Sequence, residues 1–129
     1  MADAIDLVGV AGVVGFVNAP LTEPMTTIDP SAVTKGSGVW EKTRVLYADK
    51  TGELTVGVWE SSSGAWNVLT TEDEYVRVLE GQIRLTDKAG ETKTFGVGDS
   101  FFVPENFDGE WENIGTVRKI FMSLKRKRS

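Results

Sequence analysis

The sequence predicts an all-β domain, either an antiparallel sandwich or a barrel. Short β-prone runs succeed one another from Trp40 to the end of the chain, Gly, Ser and Asp clusters separate them, and no stretch keeps a helical period. Spacing of this kind favours antiparallel sheets over any α/β arrangement.

The first run spans Trp40 to Ala48 and closes at Asp49-Lys50-Thr51-Gly52. In the next, Glu53 to Glu60, Leu54, Val56 and Val58 alternate with Thr55, Gly57 and Trp59, which reads as a half-buried strand. Ser61-Ser62-Ser63-Gly64 breaks it. Trp66 to Thr70 and Tyr75 to Leu79 follow, separated by the acidic Glu72-Asp73-Glu74. Gly81 then turns the chain into Gln82 to Thr86, and Gly90 marks another turn. Glu91 to Val97, Ser100 to Val103, Trp111 to Asn113 and Val117 to Leu124 complete about nine short strands.

At 129 residues the chain fits one domain. Three of its four prolines fall in residues 18–39, which read as an extended lead-in. The expected division is therefore an N-terminal arm, 1–36, packing on the barrel or on a partner subunit, and a barrel domain, 37–129. A net charge of −5 argues against nucleic acid as a partner, and the basic run Lys125-Arg126-Lys127-Arg128 reads as a solvated tail. The apolar segment Leu7 to Val17 is shorter than the roughly 20 residues a membrane span needs. It follows acidic residues where a signal peptide needs basic ones, and it is expected to pack on the barrel or a partner. The absence of cysteine removes any sign of a secreted disulfide scaffold without assigning a compartment, and the lack of a signal-like start and of a span-length segment makes the expected location cytoplasmic.

Several pieces, in order and at consistent spacing, carry a resemblance. They are Gly57-Val58-Trp59-Glu60-Ser61, Gly64-Ala65-Trp66, Glu72-Asp73-Glu74-Tyr75 and Leu79-Glu80-Gly81. Further on come Gly96-Val97-Gly98-Asp99-Ser100-Phe101-Phe102-Val103-Pro104, Gly109-Glu110-Trp111-Glu112 and Val117-Arg118-Lys119-Ile120. Together they resemble the ureidoglycine aminohydrolase-like branch of the cupin superfamily. The resemblance implies a double-stranded β-helix, or jelly-roll barrel, and a homodimer. It also implies a metal held by three histidines and a glutamate. Glu74 and Gly81 match the glutamate and closing glycine of the first cupin motif, which places its two histidines at Val68 and Thr70. In the second motif Gly98, Pro104 and Asn113 match, Asn106 stands where a glycine is usual, and Gly109 takes the third histidine position.

The chain contains no histidine at all. Transition metals in such sites depend on imidazole nitrogens, and valine, threonine and glycine do not replace them. No metal and no cofactor is therefore expected, and the metal-dependent aminohydrolase activity is set aside. A carboxylate-only Ca or Mg site at Glu72, Asp73 and Glu74 stays open as an alternative, disfavoured because neighbours on an extended chain point to opposite sides.

Alternation puts Trp66, Val68 and Thr70 on one face, and the resemblance turns that face inward along with Gly109, Trp111 and Asn113. The candidate ligand-binding residues are Trp66, Thr70, Glu74 and Trp111. A carboxylate inside a barrel needs a partner. Arg44, Arg77, Arg84, Arg118 and Lys119 are the cations at hand, and of the adjacent Arg118 and Lys119 one should face in and one out. The candidate catalytic set is Glu74 with Lys119 or Arg44. Trp40 and Trp59 read as packing or subunit contacts, and Tyr75 should point away from Glu74.

Three functional readings follow. The preferred one is a non-metal cupin that binds a small polar metabolite as a binding or regulatory module. The second is a metal-independent lyase, isomerase or hydrolase acting on a small nitrogenous or carboxylate metabolite. The third is a structural homodimer unit whose core is filled by Trp66 and Trp111.

Overall fold

A computed structural model describes residues 12–16 and 18–128. Most of the apolar segment 7–17 lies outside the described residues; within it, Val13 and Phe16 are exposed rather than packed on the barrel.

Among the described residues there are nine strands and no helix. They are β1 (Thr26–Thr27), β2 (Val33–Lys35), β3 (Trp40–Ala48), β4 (Leu54–Ser61), β5 (Gly64–Leu69), β6 (Asp73–Asp87), β7 (Thr92–Phe95), β8 (Ser100–Val103) and β9 (Asp108–Leu124). All pair antiparallel. The long β6 and β9 run side by side and carry everything else. The first part of β6 holds β8 and its second part β7, while the first part of β9 holds β5 and its second part β4. This divides the sheet into two halves. One is β1-β3-β4-β9-β6-β8 and the other β2-β5-β9-β6-β7. The halves curl towards each other to form a jelly-roll barrel.

The bend between them corrects the sequence reading. Tyr75 to Leu79 and Gln82 to Thr86 are one strand, and so are Trp111 to Asn113 and Val117 to Leu124. Gly81 and Gly115, at φ 77° and 78°, sit at the corner, and the β6–β9 register shifts on either side of Glu80. A glycine at positive φ absorbs a bulge, so the ladder bends and resumes instead of ending. At Gly81 a Cβ would lie 2.4 Å from the Thr116 carbonyl oxygen.

The halves meet through aromatic side chains. Trp59 of β4 lies 6.3 Å from Trp66 of β5 and 5.9 Å from Trp111 of β9, centroid to centroid, while Phe95 of β7 stacks on Phe101 of β8 at 4.3 Å. Val76, Val78, Ile83 and Val117 fill the space around them with no exposure. Gly57 leaves room for the Phe121 ring and the Arg44 carbonyl, which a Cβ would meet at 2.9 and 2.3 Å.

The lead-in contributes β1 and β2, which pair with β3 and β5 and so cover part of two sheet edges. Its residues Asn18 to Glu23 lie over the outer side of β3, β4 and β9. Asn18 accepts a hydrogen bond from Arg118 (3.0 Å), and the Leu21 amide donates to Glu60 (3.2 Å). The tail is exposed, as expected of a solvated run, and makes surface ion pairs. Arg126 pairs with Asp73 at 2.6 Å and Glu105 at 3.3 Å, Arg128 pairs with Glu105, and the Lys127 amide donates to Glu53 at 2.8 Å. Carboxylates cluster where β9 ends, and the basic run lies down on them.

On the outer side of the second half, the Glu112 carboxylate receives Lys35 (3.0 Å) and Arg84 (2.9 Å). These two charge-assisted hydrogen bonds hold its pKa below the ordinary value. A lowered carboxylate pKa stabilises the fold above the unfolded value of about 4.3 and loses that contribution as pH falls through the lower folded value. Glu112→Gln is therefore expected to melt below wild type at neutral pH, with the gap closing under more acidic conditions. Melting curves from pH 7 to pH 3 check this, and a gap that widens on acidification would contradict it.

Candidate functional site

Between the two halves lies an open cavity of about 200 Å³. Its walls are the indoles of Trp59, Trp66 and Trp111, with Val68 and Thr70 on the β5 side. Its charges are Glu41, Glu74 and Lys119.

Alternation along β9 explains why the lysine is inside. Val117, Lys119 and Phe121 face the core, and Arg118, Ile120 and Met122 face out. The Lys119 ammonium sits 4.4 Å from the centroids of both Trp59 and Trp111, and 2.7 Å from a Glu74 carboxylate oxygen. Its side chain is 7% exposed and that of Glu74 20%. The ammonium thus makes cation–π contacts with two indoles and a charge-assisted hydrogen bond to a carboxylate. Glu74 reaches it because β6 alternates too: Glu74, Val76 and Val78 face in, with Val78 directly opposite Lys119.

Arg118 faces out, as the in–out expectation requires, yet it is buried all the same. It pairs with Glu60 (3.2 Å) and Glu80 (3.1 Å) under the N-terminal arm. Arg44, proposed from sequence as an alternative partner for Glu74, lies on the outer side of β3. It binds Glu23 at 2.7 Å and Thr22 at 3.3 Å and does not line the cavity. Register decides this, since Arg44 stands opposite Val58, not Trp59.

Thr70 lines the cavity, but its hydroxyl is committed. It donates to the Pro104 carbonyl (2.8 Å) and accepts from the Phe107 amide (2.9 Å), fastening the end of β5 to the loop before β9. Asn113 orients a wall: its side-chain oxygen accepts from the Trp111 indole (2.9 Å), while its amide donates to Ser61 and Ser62. Tyr75 points away from the cavity and donates to Ser100 (2.9 Å).

Trp59 packs in the core, as sequence suggested, but it also forms a cavity wall and donates its indole N–H to Glu41 at 2.7 Å. Glu41 had not been singled out at all. The regular apolar side of β4 drew attention to Leu54, Val56 and Val58, which stand opposite Leu124, Met122 and Ile120 on the outer surface. The inner side carries Gly57, Trp59 and Ser61, which do not look like a core-facing set. The usable signal was Trp59 itself, since a tryptophan alternating with two small residues marks a cavity as readily as a surface.

The positions that hold metal ligands in cupins generally do not suit a metal here. Val68 offers no donor, the Thr70 proton is used, and Glu74 is held by Lys119. At Gly109 an added Cβ would lie 2.2 Å from the Thr86 carbonyl oxygen and 2.8 Å from the Phe107 ring, so no imidazole fits there without rearrangement. Asp73 and Glu74 diverge, the former outward to Arg126. No group of three or more His, Cys, Asp or Glu placed to hold a metal occurs among the described residues. Asn106 adopts φ 72°, which explains how it stands in for a glycine.

A second, larger cavity of about 420 Å³ opens beside β7 and β8, lined by Phe95, Phe101 and Phe107, with Lys93 its one charged residue. Phe101, 6.1 Å from Trp111, stands between the two spaces.

Residues 48–121, more than half of the chain, match the model of the EutQ-like cupin domain. Among solved structures, the fold resembles a protein of unknown function from Pseudomonas syringae pv. tomato assigned to the DUF861 family. That pair has a TM-score of 0.79 and 24% identity, over 89% of this chain and 49% of that one. It also resembles the Clostridium difficile EutQ protein, with a TM-score of 0.61 and 17% identity over 69% of this chain and 65% of that one. A third is a candidate ethanolamine utilization protein Q from Salmonella typhimurium, with a TM-score of 0.60 and 19% identity over 84% of this chain and all of that one. The chain thus spans about half the length of the first of these and just under two thirds of the second. No curated protein matches in sequence. At these identities the structures speak for the fold alone, and it is the domain match that places this chain in the EutQ-like cupin family.

Proposed function

We propose that this protein is a non-metal cupin that binds a small polar metabolite in the tryptophan-walled cavity, acting as a binding or regulatory module in the cytoplasm. The observation that carries the reading is an open space of about 200 Å³ whose floor is the Glu74–Lys119 pair. Apolar walls with a few convergent polar groups are what small-ligand sites share. The opening also weighs against a core filled by Trp66 and Trp111. One ammonium N–H is directed to Glu74, and a ligand carbonyl or carboxylate oxygen in the cavity would accept from another. Glu41 can accept from a ligand N–H. The motif resemblance to ureidoglycine aminohydrolase-like cupins, and neighbours named for ethanolamine utilization, favour a nitrogenous metabolite.

The enzyme reading is weaker. It makes Glu74 the general acid/base, and that carboxylate is already engaged by Lys119 at 2.7 Å.

A panel of small amines, ureides, acids and sugars tests the proposal by thermal shift and tryptophan fluorescence. A true ligand at a hundredfold excess over its Kd adds about 2.7 kcal/mol of stability, a rise of several degrees in Tm. It should also change the emission, because three of the four tryptophans line the cavity. No response from any member of the panel would count against the proposal.

A further inference from the structure

The cavity beside β7 and β8 differs in chemistry from the tryptophan-walled one. Among the described residues β7 and β8 each pair with β6 alone, so the other edge of each carries no strand. Alternation turns Lys93 and Phe95 of β7 inward: they stand opposite Leu85 and Ile83, which in turn oppose Trp111 and Asn113. On β8, Phe101 and Val103 face in, opposite Val76 and Glu74. Phe107, from the loop before β9, completes the lining. At about 420 Å³ the space falls in the range of small-molecule sites, roughly 300–1,000 Å³. None of its lining residues is acidic. Its one charge is the Lys93 ammonium, which has no ion-pair partner among the described residues. Ser100 also lines it; the Ser100 oxygen accepts from Tyr75 at 2.9 Å, and its own O–H has no acceptor among the described residues.

We propose that this cavity is a second binding site, independent of the first, and that it takes a small aromatic carboxylic acid. The phenylalanine rings select the body of the ligand. Phe95 and Phe101 stack at 4.3 Å, and a further ring placed among Phe95, Phe101 and Phe107 gains face or edge contacts beyond the area it buries. A polar body would lie against Leu85, Val103 and Pro104 with its groups unpartnered, at a desolvation cost. Lys93 selects the head group. An ammonium with no carboxylate in its cavity is matched by an anion and repels a cation. The Ser100 O–H is a second donor to a carboxylate oxygen. This charge balance is the reverse of that in the tryptophan-walled cavity, where Glu41 and Glu74 outnumber Lys119. Two spaces of opposite sign on one barrel do not compete for one ligand. An inward lysine on an edge strand also discourages pairing with a further strand, but that role requires no cavity beside it.

NMR titration of the isotopically labelled full chain with phenylpropionate tests the proposal, with phenylpropylamine and phenylpropanol as controls. Wild type is expected to bind the acid with a Kd at or below about 1 mM, and the amine at least about tenfold more weakly. Amide signals of β7, β8 and Phe107 should shift, while the indole N–H signals of Trp59 and Trp66, in the other cavity, stay in place. Lys93→Glu is expected to weaken binding of the acid by about tenfold or more and to leave that of the alcohol within about twofold. Lys50→Glu makes the same charge change in the exposed turn between β3 and β4 and should leave both unaltered. If far-UV circular dichroism shows that the charge reversal has not folded, Lys93→Met carries the test. No shifts at up to about 10 mM acid would overturn the proposal and leave Lys93 as a guard of the sheet edge. Equal binding of acid and amine would overturn it too, as would folded Lys93 variants that bind the acid as wild type does. Shifts centred on Trp59 and Trp66 would also overturn it, while leaving the reading of the first cavity intact.

Discussion

Replacing Glu74 with alanine is expected to cost about 3 kcal/mol of stability, while replacing Lys119 with methionine costs about 1 kcal/mol or less. The asymmetry follows from where each group sits. The Lys119 side chain is 7% exposed, and among the described residues its one carboxylate partner is Glu74 at 2.7 Å. Without Glu74, a buried ammonium keeps only the faces of Trp59 and Trp111, and cation–π contacts supply about 1–2 kcal/mol against a desolvation cost of several. Methionine in place of Lys119 keeps most of the apolar stem against those indoles and removes the charge altogether. Glu74, more open at 20%, can then be hydrated from the cavity. Out of a total stability on the order of 10 kcal/mol, a loss of 3 is easily measured. Urea melts of the two single variants and the double variant at neutral pH provide the cycle. Equal costs, or a larger cost for the lysine variant, would mean that the ammonium is not held as described.

The second large effect is at Gly109. Alanine there is expected to cost at least about 3 kcal/mol, the upper range of overpacking, because the new methyl meets the Thr86 carbonyl oxygen at 2.2 Å and the Phe107 ring at 2.8 Å. The ring could swing aside, but the carbonyl belongs to β6, which pairs with β9 at this point through Thr86 and Glu110. Relief therefore requires opening the ladder. Gly98→Ala makes a useful comparison: Gly98, unlike Gly109, adopts positive φ, at 88°, but a Cβ there meets nothing within 4 Å, so only the backbone strain of about 1 kcal/mol remains. A melting temperature for Gly109→Ala within experimental scatter of Gly98→Ala would contradict the packing described around Gly109. The same crowding means that a histidine written into position 109 would not by itself rebuild a metal site.

Much of the fold was legible because it is local. Strand positions follow from alternation and from glycine-bearing turns, and β3, β4, β5 and β8 lie within a few residues of where the pattern puts them. The same local logic failed at Gly81 and Gly115. A left-handed glycine reads alike whether the chain reverses there or merely bends, and only the ladder between β6 and β9 decides which.

The site divides in the same way. The absence of histidine rules out an imidazole-held metal without any coordinates, because it is a statement about donor atoms. The inward set Trp66, Glu74 and Trp111 could be reasoned from alternation together with the cupin resemblance. The partner of Glu74 could not. Arg44 and Lys119 are equivalent as charges in a sequence, and their difference lies in register: Lys119 faces the core opposite Val78, and Arg44 faces out opposite Val58. Glu41 and the cavity-lining role of Trp59 were lost for a related reason. On β4 both sides are covered or apolar, so the period of two establishes that there are two faces and says nothing about which one is inside. The sequence by itself determined the strand grammar, the missing metal donors and the list of inward aromatics. The closing of one half over the other selected Lys119, Trp59 and Glu41, because inside and outside are defined by contacts between strands far apart in the chain.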